Sequence, residues 1–215
     1  MKNIVCFGDS ITQGQGLAEN HRWTARLAFL LEERFPERFD VFNKGVGGNT
    51  TALALDRIQT DVIPLLPAIV LIEFGINDAY VYPWCRTPRV GLKDFRANLE
   101  EIIRQVVSQG GHPRLIINHS VTRRRDLHPQ GNGKSIASNL RAYHGAALDV
   151  CKAKSVECLN IPEILTRKRI SSADLLAEDG VHLSNQGNRI YAGLVVDHFV
   201  RFPCSADIRE HPKDF

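Results

Sequence analysis

No stretch of this chain approaches the ~20 consecutive apolar residues needed to span a bilayer, so no membrane span is expected. The formal net charge of +3 is too small to argue for nucleic acid as a partner. Its two basic runs, Arg123-Arg124-Arg125 and Arg167-Lys168-Arg169, are short and isolated. They read as solvated loops or helix ends, with contact to an anionic ligand as the sharper alternative. The five cysteines, Cys6, Cys85, Cys151, Cys158 and Cys204, are odd in number, and no pair has zinc-ligand spacing. A reducing compartment fits that usage. Cys6 and Cys158 lie in apolar runs and are expected to be buried as small residues. The eight histidines, at 21, 112, 119, 128, 144, 182, 198 and 211, form neither a His-Glu-x-x-His motif nor a tight cluster, so no metal is expected. No linker, repeat or low-complexity tract interrupts the chain, which predicts one domain over residues 1–215. A strand pattern begins by Asn3 and leaves no room for a signal peptide ahead of it, so the expectation is a cytoplasmic protein.

What the sequence does contain is alternation. Five short apolar, β-branched runs recur: Asn3–Phe7, Asp40–Asn43, Ala68–Phe74, Arg114–Asn118 and Ser155–Leu159. Between and after them lie stretches of helical character. Trp23–Arg34 puts Leu27, Leu30 and Leu31 at helix spacing, and Thr51–Ile63 follows the capping pair Asn49-Thr50. Leu92–Ser108 ends at Gly110-Gly111, a C-terminal stop; Ser135–Lys154 and Gln186–Phe202 complete the set. Strands alternating with helices predict a parallel sheet covered on both faces, a three-layer α/β/α sandwich with five strands. Two long loops, Ala79–Gly91 and Ser120–Lys134, follow strands and should lie at the carboxyl edge, where open α/β sheets bind ligands.

Three strand ends converge on that same edge. The first gives Gly8-Asp9-Ser10, the second Asn43 to Thr50, and the third Gly75-Ile76-Asn77-Asp78. A fourth segment, Asp179-Gly180-Val181-His182, lies between the last strand and the last helix. Acyl transfer requires a hydroxyl nucleophile, a base, a carboxylate to orient the base, and donors for an oxyanion. Ser10 offers the hydroxyl and His182 the imidazole. In a turn, the three-residue spacing from Asp179 can bring a carboxylate onto one ring nitrogen and leave the other free. Gly48 can present its backbone N–H, and the Asn77 amide can donate as well. Asp9 and Asp78 read as organisers of loops and caps, Glu73 as a structural partner, and Gly47 as a site of unusual backbone conformation.

These four blocks, in this order, resemble those of the SGNH hydrolases, the GDSL-type esterases and lipases. The resemblance implies Ser10 as nucleophile, His182 as base and Asp179 as its orienting carboxylate. It also implies an oxyanion hole of Ser10 N–H, Gly48 N–H and the Asn77 side chain. The implied fold is a flavodoxin-like sandwich of five parallel strands, the implied chemistry needs no metal or organic cofactor, and the implied partner is a small acyl ester. Within the family, a sugar O-acetylesterase, a thioesterase or a lysophospholipase are alternatives to a general carboxylesterase. Outside it stands a non-catalytic, flavodoxin-like ligand-binding module. Tyr82, Trp84 and Arg86, with Tyr80, sit in the loop after Asn77-Asp78 and are candidates to contact substrate. Gly131-Asn132-Gly133-Lys134-Ser135 looks like the end of a phosphate-binding loop, but His128 stands where that motif needs glycine. It reads instead as a loop capped by Ser135.

Overall fold

The structure, a computed structural model, describes residues 2–201. Cys204, His211 and the expected helix end at Phe202 lie outside the described residues. The five strands are β1 (Lys2–Gly8), β2 (Phe39–Gly45), β3 (Ala68–Glu73), β4 (His112–Ile117) and β5 (Glu157–Asn160). They form one parallel sheet in the order β2-β1-β3-β4-β5. The longer helices are α2 (Trp23–Arg34), α3 (Thr51–Asp61), α5 (Leu92–Ser108), α7 (Ile136–Lys154), α8 (Ile161–Lys168) and α10 (Asn185–Arg201). Four short helices occupy loops: α1 (Ser10–Gln13), α4 (Ile76–Ala79), α6 (Arg123–Asp126) and α9 (Ser172–Leu175).

The buried strands split their side chains between two cores, as the two-residue strand period requires. Val5, Phe7, Val70 and Ile72 face one way, onto Ile58 of α3, Leu99 of α5 and Leu140 of α7. Ile4, Cys6, Ile69 and Leu71 face the other way, onto Trp23 and Leu27 of α2 and Tyr191 and Val195 of α10. The expected three-layer α/β/α sandwich is therefore the observed architecture. Strand order reverses at β1, so the ends of β1 and β3 flank the crevice where such sheets take ligands.

Element ends follow local chemistry. Thr50 caps α3 by accepting from Leu53 N–H, and Ser135 caps α7 by accepting from Ser138 N–H. Helix α3 stops at Asp61, short of the expected Ile63, because Pro64 disfavours α geometry before it and starts a 3-10 turn over Ile63–Leu65. β5 begins at Glu157 instead of Ser155, since Ser155 adopts a left-handed φ of 53° that closes α7. Cys158 is only half-buried because β5 is an edge strand, whereas Cys6 and Cys151 are buried. The four described cysteines are free. Among the described residues no helix is long and apolar enough to cross a membrane.

Trp23 links three elements. It is fully buried, its indole N–H donates to Ile11 O of α1 at 3.0 Å, and its backbone N–H donates to Asn188 Oδ1 of α10 at 2.8 Å. Its ring lies 5.9 Å from that of Tyr191. Trp23→Ala opens a large cavity and leaves the Ile11 carbonyl with only the Gly14 N–H as donor, so we expect a loss of about 3–5 kcal/mol in urea unfolding, with a lowered midpoint.

Candidate active site

Ser10 emerges where β1 runs out. Asp9 caps the following helix, its Oδ1 accepting Ile11 N–H at 2.9 Å. Its Oδ2 accepts the Asn77 amide at 3.0 Å. One buried carboxyl thus ties the segment after β1 to the segment after β3. Glycine at 45 lets β2 end against α1, since a Cβ there would collide with the Gln13 backbone. Ser10 opens α1, where a first-turn N–H has no helical acceptor.

The segment from Asp179 to His182 is a tight turn. Gly180 N–H closes it on Ala177 O at 2.9 Å, and Ala177 N–H donates to His182 O at 2.8 Å. Asp179 Oδ1 accepts the N–H groups of Val181 and His182, both at 2.9 Å. Asp179 Oδ2 lies 2.6 Å from His182 Nδ1, and His182 Nε2 lies 2.9 Å from Ser10 Oγ. Desolvation opposes ionisation of Asp179, but its bonds to the His182 ring and to the two N–H groups outweigh it. They hold the carboxyl below the usual carboxylate range. An ionised Asp179 accepts a proton-bearing Nδ1, which leaves Nε2 with a lone pair toward Ser10. This geometry can deprotonate the hydroxyl as it attacks.

Gly48 and Asn77 lie after the ends of β2 and β3. Gly48 has a left-handed φ of 74° with open space where a Cβ would be, so conformation and not crowding favours glycine there. Gly47, expected to take the unusual conformation, does not have positive φ; a Cβ on it would come 2.9 Å from Gln13 Oε1. Arg57 of α3, which the sequence reading missed, fastens this loop. Its guanidinium donates to Asn49 Oδ1 at 2.6 Å, Lys44 O at 2.9 Å and Gly8 O at 2.9 Å, and it pairs with Asp61 at 2.7 Å. Arg89 does the same from the other side, donating to Gly48 O at 2.9 Å.

Buried ionisable groups support the site from below. Asp78 accepts from Thr51 N–H at 2.8 Å and Thr51 Oγ at 2.6 Å, a structural role that ties the segment after β3 to the start of α3. Glu73 accepts from Thr12 Oγ at 2.9 Å, and burial pushes its carboxyl up to about 7. Burial, with Glu73 beside it, raises Asp9 as well. His119, after β4, lies 2.7 Å by its Nε2 from Val181 O. A carbonyl only accepts, so Nε2 carries the proton and holds the turn that bears His182. Burial pushes this imidazole down to about 4.

Ser10, Asn77, Asp179 and His182 line a cleft of about 440 Å³ together with Tyr80, Tyr82, Arg89 and Arg125. Of the three expected substrate contacts, Tyr82 lies in that lining. Trp84 stacks on Tyr82 with 5.0 Å between ring centroids and is 80% exposed. Arg86 donates to Gly131 O, joining the two long loops. Among the described residues, no group of three or more His, Cys, Asp or Glu side chains is arranged to hold a metal ion.

A hydroxyl, an imidazole and a carboxylate in series at the edge of a parallel sheet is the arrangement used by serine hydrolases of several folds. The chain belongs to the GDSL-like Lipase/Acylhydrolase family, whose model matches residues 6–190. It is 31% identical over 149 residues to the Bacillus subtilis (strain 168) protein described as uncharacterized lipoprotein YqeF, covering 69% of this chain and 58% of that one. It is 32% identical over 115 residues to an acetylxylan esterase of Geobacillus stearothermophilus, covering 47% of this chain and 52% of that one. The chain thus spans less than two thirds of either relative. A crystal structure of a lipase/acylhydrolase from Enterococcus faecalis superposes with a TM-score of 0.75 at 25% identity, covering 93% of this chain and 95% of that one.

The state of His119 has a pH consequence. An unfolded histidine binds its proton near 6.5, whereas the folded ring waits until about 4. The unfolded state therefore binds more protons in that window, and the contribution of His119 to stability is lost as pH falls from 6.5 to 4. His119→Gln keeps a donor for Val181 O and removes the titration. Thermal melts should show the variant gaining on the parent protein as pH falls through that window, with the difference between them constant above pH 7.

Proposed function

We propose that this protein is a serine esterase that hydrolyses a small acylated substrate through an acyl-enzyme on Ser10. The observation that carries the reading is the series Asp179 Oδ2–His182 Nδ1 at 2.6 Å and His182 Nε2–Ser10 Oγ at 2.9 Å. In the proposed reaction, His182 Nε2 takes the Ser10 proton as Oγ attacks the ester carbonyl. Asp179 stabilises the imidazolium. Ser10 N–H, Gly48 N–H and Asn77 Nδ2 receive the charge on the carbonyl oxygen. Asp9 occupies one amide hydrogen of Asn77 and leaves the second to donate. His182 then protonates the leaving alcohol, the acyl-enzyme forms, and water attacks it by the same steps in reverse order.

The relatives favour a short acyl group, and acetyl above others: one is described as an acetylxylan esterase and another as an isoamyl acetate-hydrolyzing esterase homolog. An acetylated sugar is therefore the preferred form of the substrate, with thioesters and lysophospholipids as the less favoured alternatives. The cytoplasmic location expected from the sequence stays a proposal, beside the similarity to a protein described as a lipoprotein.

Hydrolysis of p-nitrophenyl acetate tests the reading. Ser10→Ala should lose nearly all turnover with its thermal stability retained. Asn77→Ala should lower turnover about 10²–10³-fold. Full activity in Ser10→Ala would exclude the mechanism.

A further inference from the structure

The cleft has a charge pattern that the esterase reading does not use. Its lining contains three charged side chains, Arg89, Arg125 and Asp179. Both oxygens of Asp179 are occupied, by His182 Nδ1 and by the N–H groups of Val181 and His182. Neither arginine has a carboxylate at ion-pair distance among the described residues, although Arg89 is near enough to the buried Asp78 carboxyl to favour its ionisation, whereas Arg57, Arg96, Arg104 and Arg114 each pair with Asp or Glu. Arg89 spends one N–H on Gly48 O and lies 5.9 Å over the Tyr82 ring, keeping its remaining donors. Arg125 uses only its backbone N–H, on Thr122 Oγ, among the described residues.

The two arginines line the cleft that contains Ser10 from different loops. Arg89 belongs to the Gly48 and Tyr82 side. Arg125 stands beside the turn bearing His182: a Cβ placed on Gly180 would lie 3.0 Å from Arg125 Cβ, and Thr122 N–H donates to Gly180 O at 2.9 Å. The leaving alcohol must reach His182 Nε2 to be protonated, and Arg125 is the cationic side chain of the lining that stands next to the His182 turn.

We infer that this cleft selects esters whose alcohol portion carries an anionic group, a carboxylate or a phosphate, received by Arg125 with Arg89 in support. A guanidinium fork matches both anions in two-point hydrogen bonding. The inference rests on the esterase reading and names the substrate class for the same site.

The test compares 4-acetoxybenzoate and 4-acetoxyphenyl phosphate with the neutral methyl 4-acetoxybenzoate, each kcat/KM divided by the ester's own hydroxide rate. A fourth ester, mono-4-nitrophenyl succinate, carries its anion on the acyl side. The expected result is a roughly five- to tenfold preference for at least one alcohol-side anion, lost in 0.5 M NaCl as charge screening requires. Preference for the carboxylate ester points to an acidic sugar or organic acid, and preference for the phosphate ester to a phosphorylated alcohol. Arg125→Gln should bring the anionic-to-neutral ratio close to one. Equal rates for charged and neutral esters, a preference confined to the succinyl ester, or a ratio unmoved by Arg125→Gln would each overturn the inference while leaving the esterase intact. Absence of hydrolysis of all four esters, together with no fluorophosphonate labelling of Ser10, would overturn the esterase reading itself.

Discussion

The buried carboxyl of Asp9 is the joint on which the site depends. It caps the helix that begins with Ser10 and, through its other oxygen, orients the Asn77 amide. These two segments follow β1 and β3, neighbouring strands whose ends form the crevice of the sheet. Burying a carboxyl in this position is unfavourable, and the raised Asp9 and Glu73 groups reflect that cost. The surrounding donors offset part of it: Ile11 N–H and Asn77 for Asp9, Thr12 for Glu73. The proposed nucleophile and one proposed oxyanion donor therefore share a single fixed reference point.

The remaining parts are braced onto that point from outside. Arg57 joins the end of β1 to the end of β2 and to the loop of Gly48, with Phe7 4.4 Å beneath its guanidinium. His119 fixes Val181 and with it the turn that carries His182. Trp23 secures α1 from behind. Loops alone would not hold a base 2.9 Å from a hydroxyl that lies 172 residues away in the chain. Each brace comes from a different helix or strand end, which is how a mobile class of segment acquires a rigid geometry.

Much of this was legible in the sequence because it obeys local rules. The strand runs are apolar and β-branched, so all five strands, β1 to β5, were anticipated within a few residues. Helices α2 and α5 match their expected bounds because their apolar spacing is regular, and α5 is closed by Gly110, at a φ of 76°, and Gly111 as expected. Ser10, Asp179 and His182 were singled out by motif and spacing, and they meet in the expected order. The braces were not legible, since Arg57 and His119 have no motif; their bonds to the carbonyls of Gly8, Lys44 and Val181 join segments that only the fold brings near. α8 and α9 carried readable signals, Pro162 in a first turn and a Ser171–Asp174 capping box, that the reading passed over. The swap between Gly47 and Gly48 turned on a backbone angle that sequence does not display.

The central claim is that Ser10 is the nucleophile, and covalent labelling tests it most directly. Treated with a fluorophosphonate and digested, the intact protein should yield one stoichiometric adduct, on the peptide containing Ser10. His182→Ala should slow that labelling by orders of magnitude, because the hydroxyl loses its base. Labelling at another residue, or undiminished labelling in Ser10→Ala, would contradict the account.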